Sequence, residues 1–189
     1  KNFKKDLPKS IQKIGSRGAS PWIFQNYSTK QGLKKATGNI CIKVRSDEVY
    51  PFIKNFYKKI KDNLHSPDKT KFFTSDIFFR RDDEEKFHIS DHIIGGAKCF
   101  MVSAFNESTR ECTRERAYSY KFPEQLICQS ILRSRGIEPK EYKSKTLMKN
   151  NFEIVPISEM PRSVWTCSYR KYDRLHSQES GWVQDIKNI

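Results

Sequence analysis

Two histidines and two cysteines in the middle of the chain are the first residues whose types and spacing suggest chemistry. His88 and His92 are four residues apart, so on a helix both imidazoles would share one face, as a pair of metal ligands requires. Cys99 and Cys112 follow them and would complete a four-residue zinc set. The spacing matches no zinc module, and a loop with two ordinary histidines is the alternative. We therefore predict no metal and no other cofactor.

A second group has the residue types that metal-dependent nucleases use. Such enzymes place acidic residues and a lysine on adjacent strands, where they hold Mg²⁺ and orient water. Asp76 lies on a predicted Phe-rich strand, and Glu84 and Lys86 form a short Glu-x-Lys sequence after it. A charged turn over residues 82–86 explains the same residues without catalysis. These three residues are the candidates for catalysis, and the prediction leans towards a protein that is not an enzyme.

Basic residues are concentrated in the first third of the chain. The 189 residues include 36 Lys+Arg and 22 Asp+Glu, which gives a net charge of +14. Residues 1–63 hold 15 basic and 4 acidic residues, a net charge of +11, whereas residues 64–126 and 127–189 carry −1 and +4. A charge concentrated in this way can form a patch that follows a phosphate backbone. A lysine-rich solvated surface that reflects compositional bias is the alternative.

Aromatic residues accompany cations in two parts of the chain. Trp22 and Tyr27 follow the first basic segment, and residues 161–176 interleave rings with cations. In complexes with single-stranded nucleic acid, bases stack on such rings while Lys and Arg meet phosphates. A terminal helix that packs its rings on the core is the alternative for residues 161–176. The predicted nucleic-acid-binding residues are Lys4, Lys5, Lys9, Lys13, Arg17, Trp22, Tyr27, Lys30, Lys34, Lys35, Trp165, Tyr169, Arg170 and Lys171.

The charge and the rings together predict a nucleic-acid-binding domain without catalysis of its own, and they do not distinguish DNA from RNA. The first alternative is an enzyme acting on nucleic acid or nucleotide, either a metal-dependent nuclease or a nucleotidyl- or ADP-ribosyl-type transferase. The second alternative is an interaction domain whose basic surface meets an acidic protein partner. Nothing in the sequence resembles a phosphate-binding loop, a dinucleotide-binding motif or a serine-hydrolase motif.

Composition restricts the protein class and its compartment. Aromatic residues make up 13% of the chain, which argues against disorder. No apolar run is long enough to span a bilayer, so no membrane association is predicted. The five cysteines are odd in number and widely spaced, which favours thiols in a reducing intracellular compartment, either nucleus or cytoplasm. The chain lacks an initiator methionine, so we expect it to be a domain of a longer protein.

The elements that must position these residues begin with helices. Residues 1–20 predict a basic arm with amphipathic helical spacing, and residues 21–189 a single domain. A helix is predicted over residues 46–64, with Ser46 as N-cap and Pro51 as an alternative first residue. Its apolar stripe consists of Val49, Phe52, Ile53, Phe56, Ile60 and Leu64. Pro123 and Gly136 enclose the second main helix.

Short runs of β-forming residues predict the sheet. They are residues 39–44, 72–80, 98–105 and 152–157, with a break at Gly95-Gly96 before the third. Pro156 confines the last strand to an edge or to a strand end, because proline cannot donate to a ladder. Helices and strands do not alternate regularly. The sequence therefore predicts an α+β fold with a mixed, mostly antiparallel sheet packed by two main helices, preceded by the basic N-terminal arm.

Overall fold

A computed structural model of the chain has helices on both faces of a four-stranded sheet. It describes residues 21–46, 48–51, 53–65, 71–77, 79–80, 85–112, 120–159 and 163–164. The helices are α1 (Pro21–Lys35), α2 (Ile53–Leu64), α3 (Lys98–Cys112), α4 (Pro123–Ser134) and α5 (Ser144–Asn151). The strands are β1 (Ile40–Val44), β2 (Glu48–Val49), β3 (Phe72–Ser75), β4 (Ile93–Ala97), β5 (Phe152–Val155) and β6 (Ser163–Val164). Two 3₁₀ turns span Glu141–Lys143 and Ile157–Glu159.

The main sheet has the strand order β1-β4-β3-β5. β4 pairs antiparallel with both β1 and β3, whereas β3 and β5 run parallel. The short strands β2 and β6 form a separate antiparallel pair. The predicted α+β class with a mixed, mostly antiparallel sheet is therefore confirmed, although the described residues contain five α-helices rather than two main ones. The predicted arm at residues 1–20 lies outside the described residues.

The two faces of the sheet carry separate apolar clusters, because side chains alternate along a strand. Ile94 of β4 belongs to a cluster that α1, α3, α4 and α5 cover. Ile93, its neighbour, belongs to the opposite cluster, which α2 covers with Phe56 and Ile60. Consequently α1 and α2 lie on opposite sides of the sheet. Phe56 is fully buried, as the predicted apolar stripe requires.

The predicted helix over residues 46–64 begins later than expected, at Ile53. Pro51 lacks an N–H, and a proline disfavours the helical conformation of the residue before it, so a helix cannot continue through Tyr50 and Pro51. The backbone instead makes a turn in which Ile53 N–H donates to the Tyr50 carbonyl at 3.2 Å. Val49 therefore lies in β2 and is exposed rather than packed in the core.

The strand predicted over residues 98–105 is wrong, because this segment forms the first half of α3. The buried residues Met101, Ala104, Phe105 and Ser108 follow the helical spacing i, i+3, i+4 and i+7. Within residues 98–105 alone, the apolar run fits a buried strand as well as a helix. The helical period is unambiguous only when the segment is read as far as Cys112.

Gly95 and Gly96 lie inside β4 rather than breaking the chain between elements. A Cβ atom at Gly95 would lie 2.6 Å from Ile60 Cδ1 and 2.8 Å from Phe56 Cε1. The absence of a side chain therefore allows α2 to pack close to the centre of the sheet. A glycine inside a strand often marks such a close approach of another element.

The other predicted elements are present, but the Phe-rich strand predicted over residues 72–80 is less than half as long as expected. The helix after Pro123 ends at Ser134, and Gly136 takes a φ of 72°, which favours glycine at a helix C-terminus. β1 begins at Ile40, and the Phe-rich strand shortens to Phe72–Ser75. β5 is an edge strand that ends directly before Pro156, as proline requires. Among the described residues, no helix combines the length and the apolar character needed to cross a membrane.

Candidate functional site

The outer surface of α2 carries three lysines on one side. Lys54, Lys58 and Lys61 are exposed and follow the spacing i, i+4 and i+7, which places their side chains in one row along the helix. The row spans about 10 Å at 1.5 Å per residue. The opposite side of the helix packs Phe56 and Ile60 on the sheet. We call Lys54, Lys58 and Lys61 the lysine row.

The lysine row differs from its neighbour Lys59 in how its charge is balanced. Lys59 Nζ lies 2.9 Å from Glu159 Oε2. In the part of the chain that the structure describes, no carboxylate forms an ion pair with Lys54, Lys58 or Lys61. These three ammonium groups are therefore available to an external anion. The sequence pattern already contained the signal, since the i, i+4, i+7 spacing can be read directly, but the predicted site omitted these residues.

The predicted cations of α1 lie on the other side of the sheet from the lysine row. Lys34 and Lys35 are exposed in the last helical turn, where cations also stabilise the helix dipole, and Lys30 is half-buried. Because α1 and α2 cover opposite faces, the described cations of the first third do not form one continuous patch. The lysine row and the predicted cations of α1 therefore face different sides of the sheet, and the five predicted cations at residues 4–17 lie outside the described residues.

The two predicted stacking residues of α1 are both half-buried. Tyr27 packs against a small cluster formed by Ile23, Cys112 and Leu126, so its ring supports the contact of α1 with α3 and α4. Trp22 lies one turn earlier, and its carbonyl accepts a hydrogen bond from Asn26 Nδ2 at 2.8 Å. The remaining members of the predicted interface lie outside the described residues: Lys4, Lys5, Lys9, Lys13, Arg17, Trp165, Tyr169, Arg170 and Lys171.

A cluster of ionisable groups is buried at one end of the sheet, where β1 ends and β4 begins. We call it the buried polar centre, and it consists of the buried residues Lys43, Glu48, His88, Asp91 and His92 together with the half-buried Glu124. β1, β2, the segment before β4 and the first turn of α4 supply its members. Only the two histidines of this centre belong to a candidate site predicted from the sequence. Lys43 and Glu48 could not be predicted as members, because Asp91 and His92, their partners in the centre, lie more than 40 residues away in the sequence.

Lys43 and Asp91 form the lysine–carboxylate pair of this centre. Lys43 donates to the Asp91 carbonyl, and its Nζ lies 3.9 Å from Asp91 Oδ2. Gln25 of α1 donates to the same carboxylate oxygen at 2.6 Å. Burial lowers the pKa of Lys43, and Asp91 opposes this effect. Burial alone would raise the pKa of Asp91, but Lys43 and His92 bring it below its usual value.

His92 and Glu48 form a second pair beside the first. His92 Nδ1 lies 2.5 Å from Glu48 Oε1, so a hydrogen bond joins the ring to this carboxyl group. The Tyr50 hydroxyl donates to Glu48 Oε2 at 2.7 Å, and Arg45 Nε lies 3.8 Å from Oε1. Burial lowers the pKa of His92, although Glu48 opposes this effect. The ring is thereby held in one orientation, with Nε2 3.9 Å from Asp91 Oδ1.

His88 and Glu124 face each other without completing a hydrogen bond. His88 Nε2 lies 3.9 Å from Glu124 Oε2. Among the described residues, neither Glu124 Oε2 nor His88 Nδ1 has a hydrogen-bond partner, although both atoms are buried. Burial lowers the pKa of His88 to about 4, and burial raises the pKa of Glu124 to about 7 with a further contribution from Asp91. Both groups therefore favour their neutral forms.

The main effect of the buried polar centre is to link helices and strands that lie far apart in the sequence. Its hydrogen bonds connect α1, β1 and β2 to the segment before β4, and His88 of that segment faces Glu124 of α4. Removing one partner of such a pair leaves an uncompensated buried charge, which is strongly destabilising. Histidine and carboxylate pairs are also the groups that general acid–base catalysis uses. Reaching them with a substrate requires access, and Lys43, Asp91 and His92 are each less than 10% exposed.

The fold separates the four residues that were considered as zinc ligands. His88 and His92 lie in an irregular segment before β4 rather than on one helix face, and each faces a different glutamate. Cys99 is exposed near the start of α3, whereas Cys112 is buried at its end and accepts a hydrogen bond from Asn26. No group of three or more His, Cys, Asp or Glu able to hold a metal occurs in the described ranges.

The strand that was expected beneath the Glu-x-Lys sequence ends early. β3 stops at Ser75, so Asp76 lies in the bend that follows rather than on the strand. Lys86 lies in a turn, where its carbonyl accepts a hydrogen bond from Gln125 Nε2 at 3.1 Å. Glu84 lies outside the described residues. The adjacent-strand arrangement of a two-metal nuclease is therefore not formed by Asp76 and Lys86.

Comparisons with protein-family models, with curated proteins and with solved structures found no match for this chain.

Proposed function

We propose that this protein is a nucleic-acid-binding domain that contacts backbone phosphates through the lysine row of α2. The observation that carries the proposal is the one-sided set of Lys54, Lys58 and Lys61, exposed and without a carboxylate partner among the described residues. A row of ammonium groups on a rigid helix presents fixed positive charge to a chain of phosphates. The net charge of +14 adds a long-range attraction for the same polyanion.

The number of lysines in the row sets the expected salt dependence. Each phosphate that a cation neutralises contributes about 0.7 to the slope of log K against log salt for single strands, and about 0.9 for duplex DNA. Three contacts therefore contribute a slope of roughly −2 to −3. Cations elsewhere in the chain, including the predicted arm at residues 1–20, would make the total slope steeper.

The first experiment compares two adjacent lysines of α2. Lys58→Ala removes a member of the lysine row, and Lys59→Ala removes the neighbouring lysine that is paired with Glu159. Both variants lose one positive charge from the same helix, so they differ mainly in whether that charge is available. We expect Lys58→Ala to weaken binding to a labelled 20-nucleotide strand and to flatten the salt slope by about 0.7, measured by fluorescence anisotropy. Lys59→Ala should have a smaller effect on both.

The triple variant Lys54→Ala, Lys58→Ala, Lys61→Ala tests the row as a unit. It should flatten the slope by roughly 2 without changing the circular dichroism spectrum, because all three side chains are exposed. Absence of measurable binding by the unmodified chain near 50 mM salt would contradict the proposal. Equal losses from Lys58→Ala and Lys59→Ala would contradict the assignment to the lysine row. Competition by heparin but not by an oligonucleotide would favour the acidic protein partner instead.

The buried polar centre favours one second candidate function, an enzyme acting on nucleic acid. The specific observation is that Glu48 holds His92 Nδ1 at 2.5 Å, which is how a carboxylate orients a catalytic imidazole. A cleavage assay on labelled RNA and DNA, with magnesium and with a chelator, distinguishes this function from binding alone. Cleavage that is lost in His92→Asn but retained in the triple lysine variant would support it. Intact substrate under all conditions would contradict it.

A further inference from the structure

An exposed aromatic ring lies within the lysine row. Tyr57 is 45% exposed and stands three residues after Lys54 and four residues before Lys61. Residues three and four apart are neighbours on a helix surface, with Cβ atoms about 5–6 Å apart. The ring is therefore flanked along the helix by two ammonium groups, and Lys58 follows it directly in the sequence.

The Tyr57 ring has no evident role in the core. It belongs to neither of the apolar clusters that pack on the two faces of the sheet, whereas Phe56 and Ile60 of the same helix are buried in one of them. Its hydroxyl has no hydrogen-bond partner in the described parts of the chain. A large ring that gains little from packing, beside three available cations, has the composition of a surface on which a base stacks.

We propose that Tyr57 stacks on an unpaired base and thereby makes the lysine row select single-stranded nucleic acid over duplex. This inference rests on the proposed function and names its substrate class. Lys54 and Lys61 contact phosphates on either side of the stacked nucleotide. In a duplex, the faces of the bases are covered by their neighbours, so only phosphate contacts remain. The affinity for a single strand should therefore exceed the affinity for a duplex by the contribution of one stacked base.

The magnitude follows from measured base stacking. Removing one aromatic platform costs roughly 1–3 kcal/mol per base, which corresponds to a loss of about 5-fold to 150-fold in affinity. Stacking involves no counterion release, so the slope of log K against log salt should stay unchanged. A lysine variant does the opposite, since it changes the slope. The two kinds of contact are thus separable by one titration series.

The experiment measures the affinity of four proteins for three ligands. The proteins are the unmodified chain, Tyr57→Ala, Tyr57→Phe and Tyr142→Ala, the last removing a tyrosine that is 77% exposed outside α2. The ligands are a 12-nucleotide single strand, a hairpin duplex of matched length, and an abasic single strand that keeps the phosphates without the bases. Circular dichroism and thermal melting confirm that each variant is folded.

Support requires four results together. The unmodified chain binds the single strand more tightly than the duplex, and Tyr57→Ala loses about 5-fold or more on the single strand only. Tyr57→Phe and Tyr142→Ala retain the affinity. On the abasic strand, Tyr57→Ala binds as the unmodified chain does, because the base that the ring would contact is missing.

Two outcomes would overturn the stacking inference and leave the proposed function standing, and a third would overturn both. If Lys58→Ala weakens binding but Tyr57→Ala does not, the phosphate contacts stand and the stacking inference is overturned. If Tyr57→Ala weakens single-strand and duplex binding equally, selection of single strands is overturned. If the unmodified chain binds polyglutamate and has no measurable affinity for the single strand or the duplex, both the inference and the proposed function fail.

Discussion

Replacing Glu124 by glutamine should make the protein more stable at alkaline pH. Glu124 lies in the first turn of α4, and its Oε2 atom is buried 3.9 Å from His88 Nε2. Burial raises the pKa of this carboxyl from 4.5 to about 7, and the Asp91 carboxylate adds to the effect. The folded protein therefore retains the Glu124 proton over a pH range in which the unfolded chain has lost it.

The difference between the Glu124 pKa in the folded and in the unfolded state determines the sign and the size of the change in stability. Below pH 4.5 the carboxyl is protonated in both states, so ionisation costs the folded protein nothing. Stability falls as the pH rises from 4.5 to about 7 and is constant above that. At about 1.4 kcal/mol per pH unit, the loss amounts to roughly 3 kcal/mol. Glutamine keeps the size of the side chain and does not ionise, so Glu124→Gln should remove this loss.

His88 masks part of this dependence in the unmodified protein. Burial lowers its pKa from 6.5 to about 4, and Arg80 adds to the effect, so the folded state resists protonation of the ring. The contribution of His88 to stability therefore rises with pH between 4 and 6.5, where the contribution of Glu124 falls. The two slopes oppose each other between pH 4.5 and 6.5. In Glu124→Gln, the rise that His88 causes should become visible.

Urea unfolding at pH 5, 6, 7 and 8 tests this prediction by measuring the free energy of unfolding. The relevant quantity is the difference in unfolding free energy between Glu124→Gln and the unmodified chain, because other titrating groups cancel in it. This difference should grow by roughly 2.5 kcal/mol in favour of the variant between pH 5 and pH 8. Glu141→Gln, at an exposed side chain, controls for the loss of one carboxylate. A difference that does not change with pH would refute the reasoning.

Three other predictions concern packing and thiols. Gly95→Ala should destabilise the protein by about 1–3 kcal/mol in urea unfolding, because its Cβ would lie 2.6 Å from Ile60 Cδ1. Phe56→Ala should cost about 3–5 kcal/mol in the same assay, since the ring is fully buried between α2 and the sheet. The melting temperature should not change with dithiothreitol, because the four cysteines in the described residues carry thiols rather than disulfides; a drop of many degrees would contradict this.

Elements whose signals are local could be predicted from the sequence. The proline at the start of α4 and the glycine after its end both act within one or two turns, and the β-forming run of β1 is bounded by polar residues. α3 could not be read correctly from residues 98–105, because its helical period becomes clear only over residues 101–112. The start of α2 was misplaced, since a good N-cap pattern at Ser46 outweighed the constraint that Pro51 imposes.

The buried polar centre depends on partners that the sequence does not bring near each other. Lys43 alternates with apolar residues in β1, which by itself indicates a solvent-facing side chain. Its burial depends on Asp91, 48 residues later, and on Gln25 of α1, which holds the same carboxylate. Net charge over a segment likewise could not reveal that the sheet separates α1 from α2. The spacing of the lysines in α2, in contrast, can be read from the sequence, although the predicted cations all lie at residues 4–35 and 170–171.

The fold keeps the proposed binding surface apart from the buried charged groups. The lysine row and Tyr57 are exposed on α2, which packs on the face of the sheet marked by Ile93. The buried polar centre instead joins the end of β1 and the start of β4 to α1 and to the first turn of α4, both of which lie on the face marked by Ile94.

Substitutions in the lysine row remove no buried contact, so a loss of nucleic-acid binding in Lys58→Ala would report on the surface itself. A variant such as Lys43→Ala acts in the opposite way, because it leaves Asp91 uncompensated in the interior and lowers binding only through unfolding. Comparing the two variants at a temperature where both are folded therefore distinguishes a phosphate contact from a structural charge.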